Sequence, residues 1–221
     1  MLLVLSQIFA AALVSMMLSA SGCVMASDQI QGSGVAKTET RDVPAFTRIE
    51  TTGSADVIVT IGDKQSMTVE ADDNILPLLT TEVKGDKLVI GSRDSYSPRT
   101  NIKITITVPS LDGASVSGSG QINVTGVNGK KFDAQITGSG QVNLVGQADS
   151  LNATIAGSGN LEATKFTVSD ATVRVTGSGD AKVNATKSLN ATVTGSGDVR
   201  YTGRPSSVQE QVHGSGSVKK M

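Results

Sequence analysis

The residues most open to a chemical interpretation are the six regularly spaced copies of Gly-Ser-Gly in the second half of the chain. They begin at Gly118, Gly138, Gly157, Gly177, Gly195 and Gly214. Glycine-rich turns bind dinucleotide phosphates when a third glycine follows three residues later and opens a helix. Asn123 and Asn143 occupy that place, and alternating apolar residues follow them. The pattern therefore favours structural corners over a phosphate site.

Asp180 and Asp198, which directly follow two of these corners, are the candidates for calcium binding or polysaccharide cleavage. Calcium-binding β-rolls repeat glycine and aspartate with a shorter unit of about nine residues. Here Lys182 and Arg200 stand two residues further on, which favours a lattice of surface ion pairs. Glycoside hydrolases need two carboxyl groups across the scissile bond. We predict no catalytic residue, no cofactor and no metal site, with a carbohydrate-active β-helix enzyme as the alternative.

Composition excludes several classes of partner. The chain has 19 basic and 20 acidic residues and a net charge of −1, so it lacks the basic excess of a nucleic-acid-binding protein. Tryptophan, which often stacks on sugars in carbohydrate-active enzymes, is absent. His213 is the only histidine and has no second metal ligand nearby in the sequence. We interpret it as a solvated surface residue.

The N-terminus has the pattern of an export signal. No charged side chain occurs before Asp28, and the segment from Leu2 to Ala20 is almost wholly apolar. Small residues follow, as in the cleavage region of a secretory signal. We predict a signal peptide of the lipoprotein type over residues 1–22. The alternatives are ordinary cleavage near Ala26 and an uncleaved membrane anchor, because about 19 apolar residues are enough to span a bilayer.

Cys23, the only cysteine, follows Ala20-Ser21-Gly22 directly. This arrangement resembles the lipobox, in which small residues precede the cysteine that bacteria attach to lipid. We predict lipid attachment at Cys23 and a flexible tether over residues 23–44. Val24 stands after the cysteine in place of Asp, which favours the outer membrane under the usual sorting rule for Gram-negative bacteria.

Aligning the Gly-Ser-Gly copies reveals columns of apolar residues. The column two positions before the first glycine contains Ile136, Ile155, Val175, Val193 and Val212. The column four positions after it contains Ile122, Val142, Leu161, Ala181, Val199 and Val218. Strict alternation with polar residues indicates strands that bury one face, and such units must stack to form a core. The sequence predicts an all-β fold, a right-handed parallel β-helix with about 19 residues per rung.

The glycines have a physical role at the predicted corners. The second glycines of the six copies are Gly120, Gly140, Gly159, Gly179, Gly197 and Gly216. A tight corner needs backbone angles that a Cβ would penalise. Stacked corners also leave little space for side chains, so we predict all twelve glycines to be structural.

Residues 45–219 are expected to form one domain. Regular rungs are predicted over 118–219, and wider, less regular coils over 45–117. Strand-like segments in this earlier region are 55–61, 66–71, 88–90 and 102–108. Pro77 limits any helix between them to about one turn. Glu210 falls in a column otherwise filled by alanine and valine, as expected for a polar terminal repeat.

These segments resemble a known family. The run from Ile102 to Leu111, the Val116–Gly120 corner and the ending Gly195–Gly203 are similar to the head GIN domain family of auto-transporter adhesins. The resemblance extends from Pro44 to Lys219. It implies a right-handed β-helix and export to the bacterial envelope, and it provides no binding residues to carry over.

We therefore expect a non-catalytic lipoprotein of the cell envelope, an adhesin or scaffold that presents a polar β-helix face. Its expected partners are the membrane, through the lipid anchor, and an envelope or surface ligand that is protein or polysaccharide. Nucleic acid is not expected, and the oligomeric state stays open. The alternatives are the carbohydrate-active enzyme and a soluble periplasmic binding module.

Overall fold

The computed structural model describes residues 29–221 of the chain. In most of its strands, alternating apolar and polar residues produce one buried face. These strands stack into a β-solenoid of about five turns, and the described residues contain no α-helix. The all-β solenoid class predicted from the sequence is confirmed.

The N-terminal half of the solenoid is irregular. Its elements are β1 (Ile30–Gln31), β2 (Ala36–Thr40), β3 (Arg48–Gly53), β4 (Asp56–Ile61), β5 (Ser66–Asp72), a 3₁₀ helix (Leu76–Leu78), β6 (Leu79–Lys84), β7 (Lys87–Ser92), β8 (Tyr96–Ser97) and β9 (Lys103–Val108). Strands β2, β5 and β6 pair antiparallel with their neighbours, whereas β3 pairs parallel with β7 and β4 pairs parallel with β9.

The C-terminal half carries the regular rungs. Its strands are β10 (Gly113–Gly118), β11 (Gln121–Gly138), β12 (Gln141–Gly157), β13 (Asn160–Gly177), β14 (Asp180–Gly195), β15 (Asp198–Thr202), β16 (Ser207–Gly214) and β17 (Ser217–Lys220). All of their pairings are parallel, so each residue lies beside its equivalent in the next rung, as Ile136 lies beside Ile155. The N-terminal half continues this stack, because β10 pairs with β3 and β11 pairs with β4.

The corners divide the solenoid into two sheet faces. The pre-corner face contains the segments that lead into a corner, in the spatial order β16, β14, β13, β12, β11, β10, β3, β7 and β6. The post-corner face contains the segments that leave a corner, in the order β17, β15, β14, β13, β12, β11, β4, β9, β5 and β2. Each of β11 to β14 begins on the post-corner face and ends on the pre-corner face.

One continuous apolar core fills the space between the two faces. The inward column that contains Val116, Ile136 and Val175 is buried, and so is the column that contains Ile122 and Val142. Phe132 and Phe166 are the largest fully buried side chains, and their rings meet edge to face with centroids 5.6 Å apart. A single rung cannot enclose its apolar side chains, so the stacking of neighbours creates the core.

The flexible tether predicted over residues 23–44 is wrong for the segment from Ile30 to Thr40. Strand β1 pairs with β8, and β2 pairs antiparallel with β5. All five residues of β2 are exposed, so its order comes from backbone pairing at a sheet edge and leaves no apolar pattern in the sequence. Residues 23–28 of the predicted tether lie outside the described part of the chain.

The wider coils predicted over residues 45–117 also need correction. Strands β5 and β6 run antiparallel to their neighbours, which a continuous coil does not produce. Strand β9 lies between β4 and β5 in the sheet. Strands β4 and β5 are consecutive in the sequence but are therefore not neighbours in space. A tight hairpin at Gly85, where φ is +66°, reverses β6 into β7.

Candidate functional site

The twelve predicted corner glycines stack in columns along one edge of the solenoid. The first glycines of successive corners pair in register, and the second glycines lie above one another. At Gly138 φ is +110°, and a Cβ would lie 2.7 Å from the carbonyl oxygen of Gly118. At Gly140 a Cβ would lie 2.6 Å from the carbonyl oxygen of Gly120. The first position thus needs glycine for its backbone angle, and both positions need it for space.

The backbone of these corners is occupied by stacking. The N–H of Ser139 donates to the carbonyl of Gly118 at 2.9 Å, and the N–H of Gln141 donates to Gly120 at 3.0 Å. A phosphate cradle requires several backbone N–H groups that converge on the ligand. These donors instead hold one rung on the next, so the corner acts as a device of the fold.

Other residues singled out from the sequence are dispersed. Cys23, the predicted lipid attachment site, lies outside the described residues. His213 lies at the exposed end of β16, beside Thr194 of β14. Residues 29–221 contain no group of three or more His, Cys, Asp or Glu side chains that could hold a metal ion.

Asp180 and Asp198 lie on adjacent rungs and are engaged in a polar lattice. The Oδ1 atom of Asp180 accepts the backbone N–H of Asp198 at 2.9 Å. Asp198 accepts a 2.8 Å hydrogen bond from Arg200 and a 2.7 Å hydrogen bond from Ser217. The hydrogen bond from Ser217 and the charge of Arg200 outweigh desolvation and lower the pKa of Asp198 below its ordinary value of 3.8. Both carboxylates therefore stabilise the stack.

A groove runs along the outer side of the post-corner face. Its floor is an outward column of four side chains from four successive rungs, namely Asn123, Asn143, Glu162 and Lys182. The side chains are half-buried. Asn143 Nδ2 donates to Asn123 Oδ1 at 2.7 Å, so the two amides are held in one orientation. Gln121 and Gln141 support them from the neighbouring column, through hydrogen bonds of 3.0 Å to Asn123 and 2.8 Å to Asn143.

The ion pair in the floor continues this column. Lys182 Nζ lies 3.0 Å from Glu162 Oε2, and the hydroxyl of Thr164 donates to the other carboxylate oxygen. Desolvation alone would raise the pKa of Glu162, but the hydrogen bonds from Thr164 and Lys182 lower it below its ordinary value of 4.5. Glu162 is therefore ionised near neutral pH and links the floor of the groove to its wall.

The wall of the groove is a bulge in β13. Thr164, Lys165 and Phe166 have no partner on β14, because Ala163 pairs with Val183 and the next pair is Thr167 with Asn184. Phe166 turns inward against Phe132 and anchors the bulge in the core. Thr164 and Lys165 then stand beside the floor and line the groove.

The groove has a volume of about 540 Å³. Leu144, Val145 and Met221 add apolar surface to its lining. Sequence reasoning identified the outward polar columns but missed the wall. The available signal was the change in corner spacing from 20 residues, between Gly157 and Gly177, to 18 residues in the next rung.

A second polar cluster lies on the pre-corner face. Arg48 and Asp133 form an ion pair although Gly113 separates them in the column. Because Gly113 has no side chain, the two groups meet across it. Desolvation opposes ionisation of Asp133, but Lys131 and Arg48 lower its pKa below 3.8. This cluster joins three rungs and satisfies its own charges.

Residues 45–205 match the family described as "Putative auto-transporter adhesin, head GIN domain". The chain belongs to this family. The resemblance seen in the strand and corner motifs is therefore confirmed. The adhesin description of the family indicates a protein of the cell surface or envelope.

Solved structures share the fold. A "putative adhesin" from Bacteroides fragilis NCTC 9343 is 26% identical, with a TM-score of 0.72 and coverage of 87% of this chain and 100% of that chain. A "putative lipid binding protein" from Parabacteroides distasonis ATCC 8503 is also 26% identical, with a TM-score of 0.54 and coverage of 87% and 99%. A search of curated proteins returned no match. Within residues 29–221, no helix is long and apolar enough to cross a membrane.

Proposed function

We propose that this GIN-domain protein is an exported lipoprotein, anchored through Cys23, that acts without catalysis as an adhesin or scaffold. The observation that carries the proposal is the groove on the post-corner face. Its floor presents one polar side chain per rung in fixed register, two amides followed by the two members of an ion pair. The adhesin description of the family supports a role in surface attachment.

The rigidity of this face suits a binding function. The backbone of the floor is paired on both sides within the sheet, and cross-rung hydrogen bonds orient Asn123, Asn143 and Glu162. Preorganised groups lose little conformational entropy when a ligand binds. A rigid polar surface therefore binds without the cost of ordering a loop.

The state of the carboxylates supports a role without catalysis. A glycosidase acid must carry a proton at working pH, which requires a raised pKa. Glu162 and Asp198 have lowered pKa values and are engaged by Lys182 and Arg200. A screen of bacterial polysaccharides for cleavage tests the enzyme alternative. Turnover that disappears in Asp180→Asn and Asp198→Asn would support that alternative.

The adhesion role is tested by capture. The purified full chain in detergent is immobilised and exposed to solubilised envelope and cell-surface material, and bound components are identified by mass spectrometry and sugar analysis. Specific capture of a surface component, absent from a column of heat-unfolded protein, is the expected result. Failure to retain any envelope or surface component contradicts the proposed function.

The lipid anchor is tested separately. Cells that produce wild type or Cys23→Ala are labelled with a radioactive fatty acid and then fractionated. We expect label and membrane association in the wild type and loss of both in the variant. Surface proteolysis of intact cells then distinguishes the outward-facing from the periplasmic orientation. Unchanged labelling of Cys23→Ala contradicts lipid attachment at Cys23. A wild type without label or membrane association favours the soluble periplasmic module.

A further inference from the structure

We propose that the groove on the post-corner face binds a polysaccharide chain that lies extended along the solenoid axis. This inference rests on the proposed adhesion function and names its ligand class. The binding groups are the amides of Asn123 and Asn143 and the ion pair of Glu162 with Lys182. The bulge at Thr164 and Lys165 forms one side of the channel.

The repeat of the floor fits a polymer of similar units. Its four side chains come from successive rungs, and neighbouring strands in a sheet are about 4.8 Å apart. The column thus presents one polar group per step along a straight line of about 14 Å. That step is close to the length of one sugar ring in an extended glycan, so each rung faces one sugar unit.

The floor retains hydrogen-bonding capacity for such a ligand. A primary amide offers two donors and an acceptor with two lone pairs. Among the hydrogen bonds of residues 29–221, Asn143 donates one through Nδ2 to Asn123 and accepts one from Gln141, while the oxygen of Asn123 accepts two and its Nδ2 donates none. Both side chains line the groove, so their remaining N–H donors are available there. These donors, with the remaining lone pair of the Asn143 oxygen, match sugar hydroxyls, which both donate and accept.

The groove lining favours a sugar over a peptide or a lipid. The sheet backbone beneath the floor is already paired with neighbouring rungs, so a peptide cannot add as a strand there. An acyl chain would cover the amides and the ion pair without replacing their hydrogen bonds, which is costly. Val145, Met221 and the alkyl part of Lys165 provide apolar contact for the C–H face of a sugar ring.

The test uses the purified full chain, immobilised in detergent. The probe is the delipidated polysaccharide fraction released from bacterial envelopes, and binding is followed by interferometry. We expect wild type to bind, and mild periodate treatment of the probe, which cleaves vicinal diols, to lower binding at least ten-fold. Fragments of the same fraction should bind more tightly with length up to about four sugar units, the number of rungs in the floor.

Matched variants locate the binding site. Asn123→Leu with Asn143→Leu removes the amides and keeps the side-chain size, and we expect affinity to fall at least ten-fold. The control is Asn152→Leu with Asn190→Leu, two exposed asparagines on the pre-corner face, which should bind like wild type. Circular dichroism and thermal unfolding verify that both double variants fold.

Three results would overturn the inference. The first is periodate-resistant binding, and the second is equal affinity of the groove variant and wild type. The third is that the full chain captures envelope proteins but no polysaccharide, in which case adhesion stands and only the ligand class and the groove are wrong. Failure of the full chain to capture any surface component contradicts the adhesion proposal itself.

Discussion

The two ends of the solenoid are closed in different ways. At the N-terminal end, the antiparallel strands β2 and β6 and the 3₁₀ helix cover the stack, and this cover buries its own residues Ile75, Leu76 and Leu79. The guanidinium of Arg41 donates to the carbonyl of Leu79 at 2.7 Å and to that of Leu76 at 2.9 Å. Carbonyl groups that would face the end of the core are thereby satisfied.

The C-terminal end has no such cover among the described residues. Every residue of β16 is exposed, and Val208 and Val212 have 38% and 39% of their surface accessible. Glu210 continues the inward column after Ala191. A charge on the inner side of an edge strand discourages pairing with another chain. Repetition thus forms the interior in one way, while each end needs its own solution, a cover at one end and a charge at the other.

The largest expected effect comes from the same substitution placed inside the stack and at its open end. In Gly140→Ala the new Cβ meets Val116 and lies 2.6 Å from the Gly120 carbonyl. Rungs on both sides prevent the corner from moving away from this clash, so we expect a loss of about 3 kcal/mol in the free energy of unfolding. Gly216→Ala also meets the previous corner, but the last rung can separate, and we expect a loss of about 1 kcal/mol.

Urea unfolding of both glycine variants measures the difference. Amide exchange should show opening confined to β16 and β17 in Gly216→Ala. Equal losses of stability in the two variants would mean that the end rung is held as firmly as the interior, contrary to the comparison of the ends.

The second effect concerns the cover of the N-terminal end. Arg41→Ala removes hydrogen bonds from a charged donor to Leu76 and Leu79, and we expect a loss of about 2 kcal/mol in the free energy of unfolding. Lys220→Ala at the open end is the control and should change stability by less than about 0.5 kcal/mol. Thermal unfolding compares the two variants, and a neutral Arg41→Ala would show that the cover does not depend on this residue.

These differences explain what the sequence predicts and what it leaves out. The regular half is predictable because the apolar alternation and the corner glycines repeat at a near-constant spacing. The position of Ile136 in one rung therefore predicts that of Ile155 in the next. Strand β2 leaves no such pattern because its five residues are exposed. Its position depends on pairing with β5, which is about thirty residues away and which no local rule indicates.

The candidate site also has a part that the sequence predicts, the floor of the groove, and a part that it does not, the wall. The floor of the groove follows from the outward columns, in which Asn123 and Asn143 are aligned by the repeat. The wall depends on the inward turn of Phe166 against Phe132, a contact between two different columns. Spacing of the corners reveals that residues are added in this rung, but only packing decides that Thr164 and Lys165 project outward.

The third effect lies at the rung where the two halves meet. Thr51 is fully buried between Val116 and Ile90, and its hydroxyl has no hydrogen-bond partner within the described residues. Thr51→Val keeps the shape and removes the unsatisfied group, so we expect a gain of about 1 kcal/mol in stability. The reverse change one rung away, Val116→Thr, should cost about as much. Chemical denaturation tests the pair, and a loss in Thr51→Val would indicate that the hydroxyl is satisfied.

The fourth effect is a local response to acid at the N-terminal end. Burial alone would raise the pKa of Asp72, but N–H groups of Thr100, Gly34 and Arg99 lower it below the ordinary value of 3.8. A depressed pKa stabilises the fold above that ordinary value, and the contribution is lost as the pH falls through the folded pKa. We expect amide protection of Gly34 and β2 to fall below about pH 4, before the regular rungs open.

Two variants separate Asp72 from general acid unfolding. Asp72→Asn cannot ionise and should remove the acid step, leaving the N-terminal segment equally protected at neutral and low pH. Asp63→Asn, at an exposed position, should retain the step. Nuclear magnetic resonance of the amides follows both. An acid step that persists in Asp72→Asn would assign it to another group.

The smallest effect on the folded monomer, and the most direct test of the open end, concerns Glu210. The segment from Val208 to Val212 reads the same in both directions about Glu210. Two copies of β16 paired antiparallel would therefore place valine beside valine but bring the two Glu210 carboxylates together, which is unfavourable. Glu210→Val removes this repulsion, and we expect self-association at micromolar concentration with little change in monomer stability. Sedimentation velocity measures it, with Glu82→Val on β6 as the control at the covered end. A monomeric Glu210→Val would mean that the shape of the last rung, and not its charge, keeps the edge free.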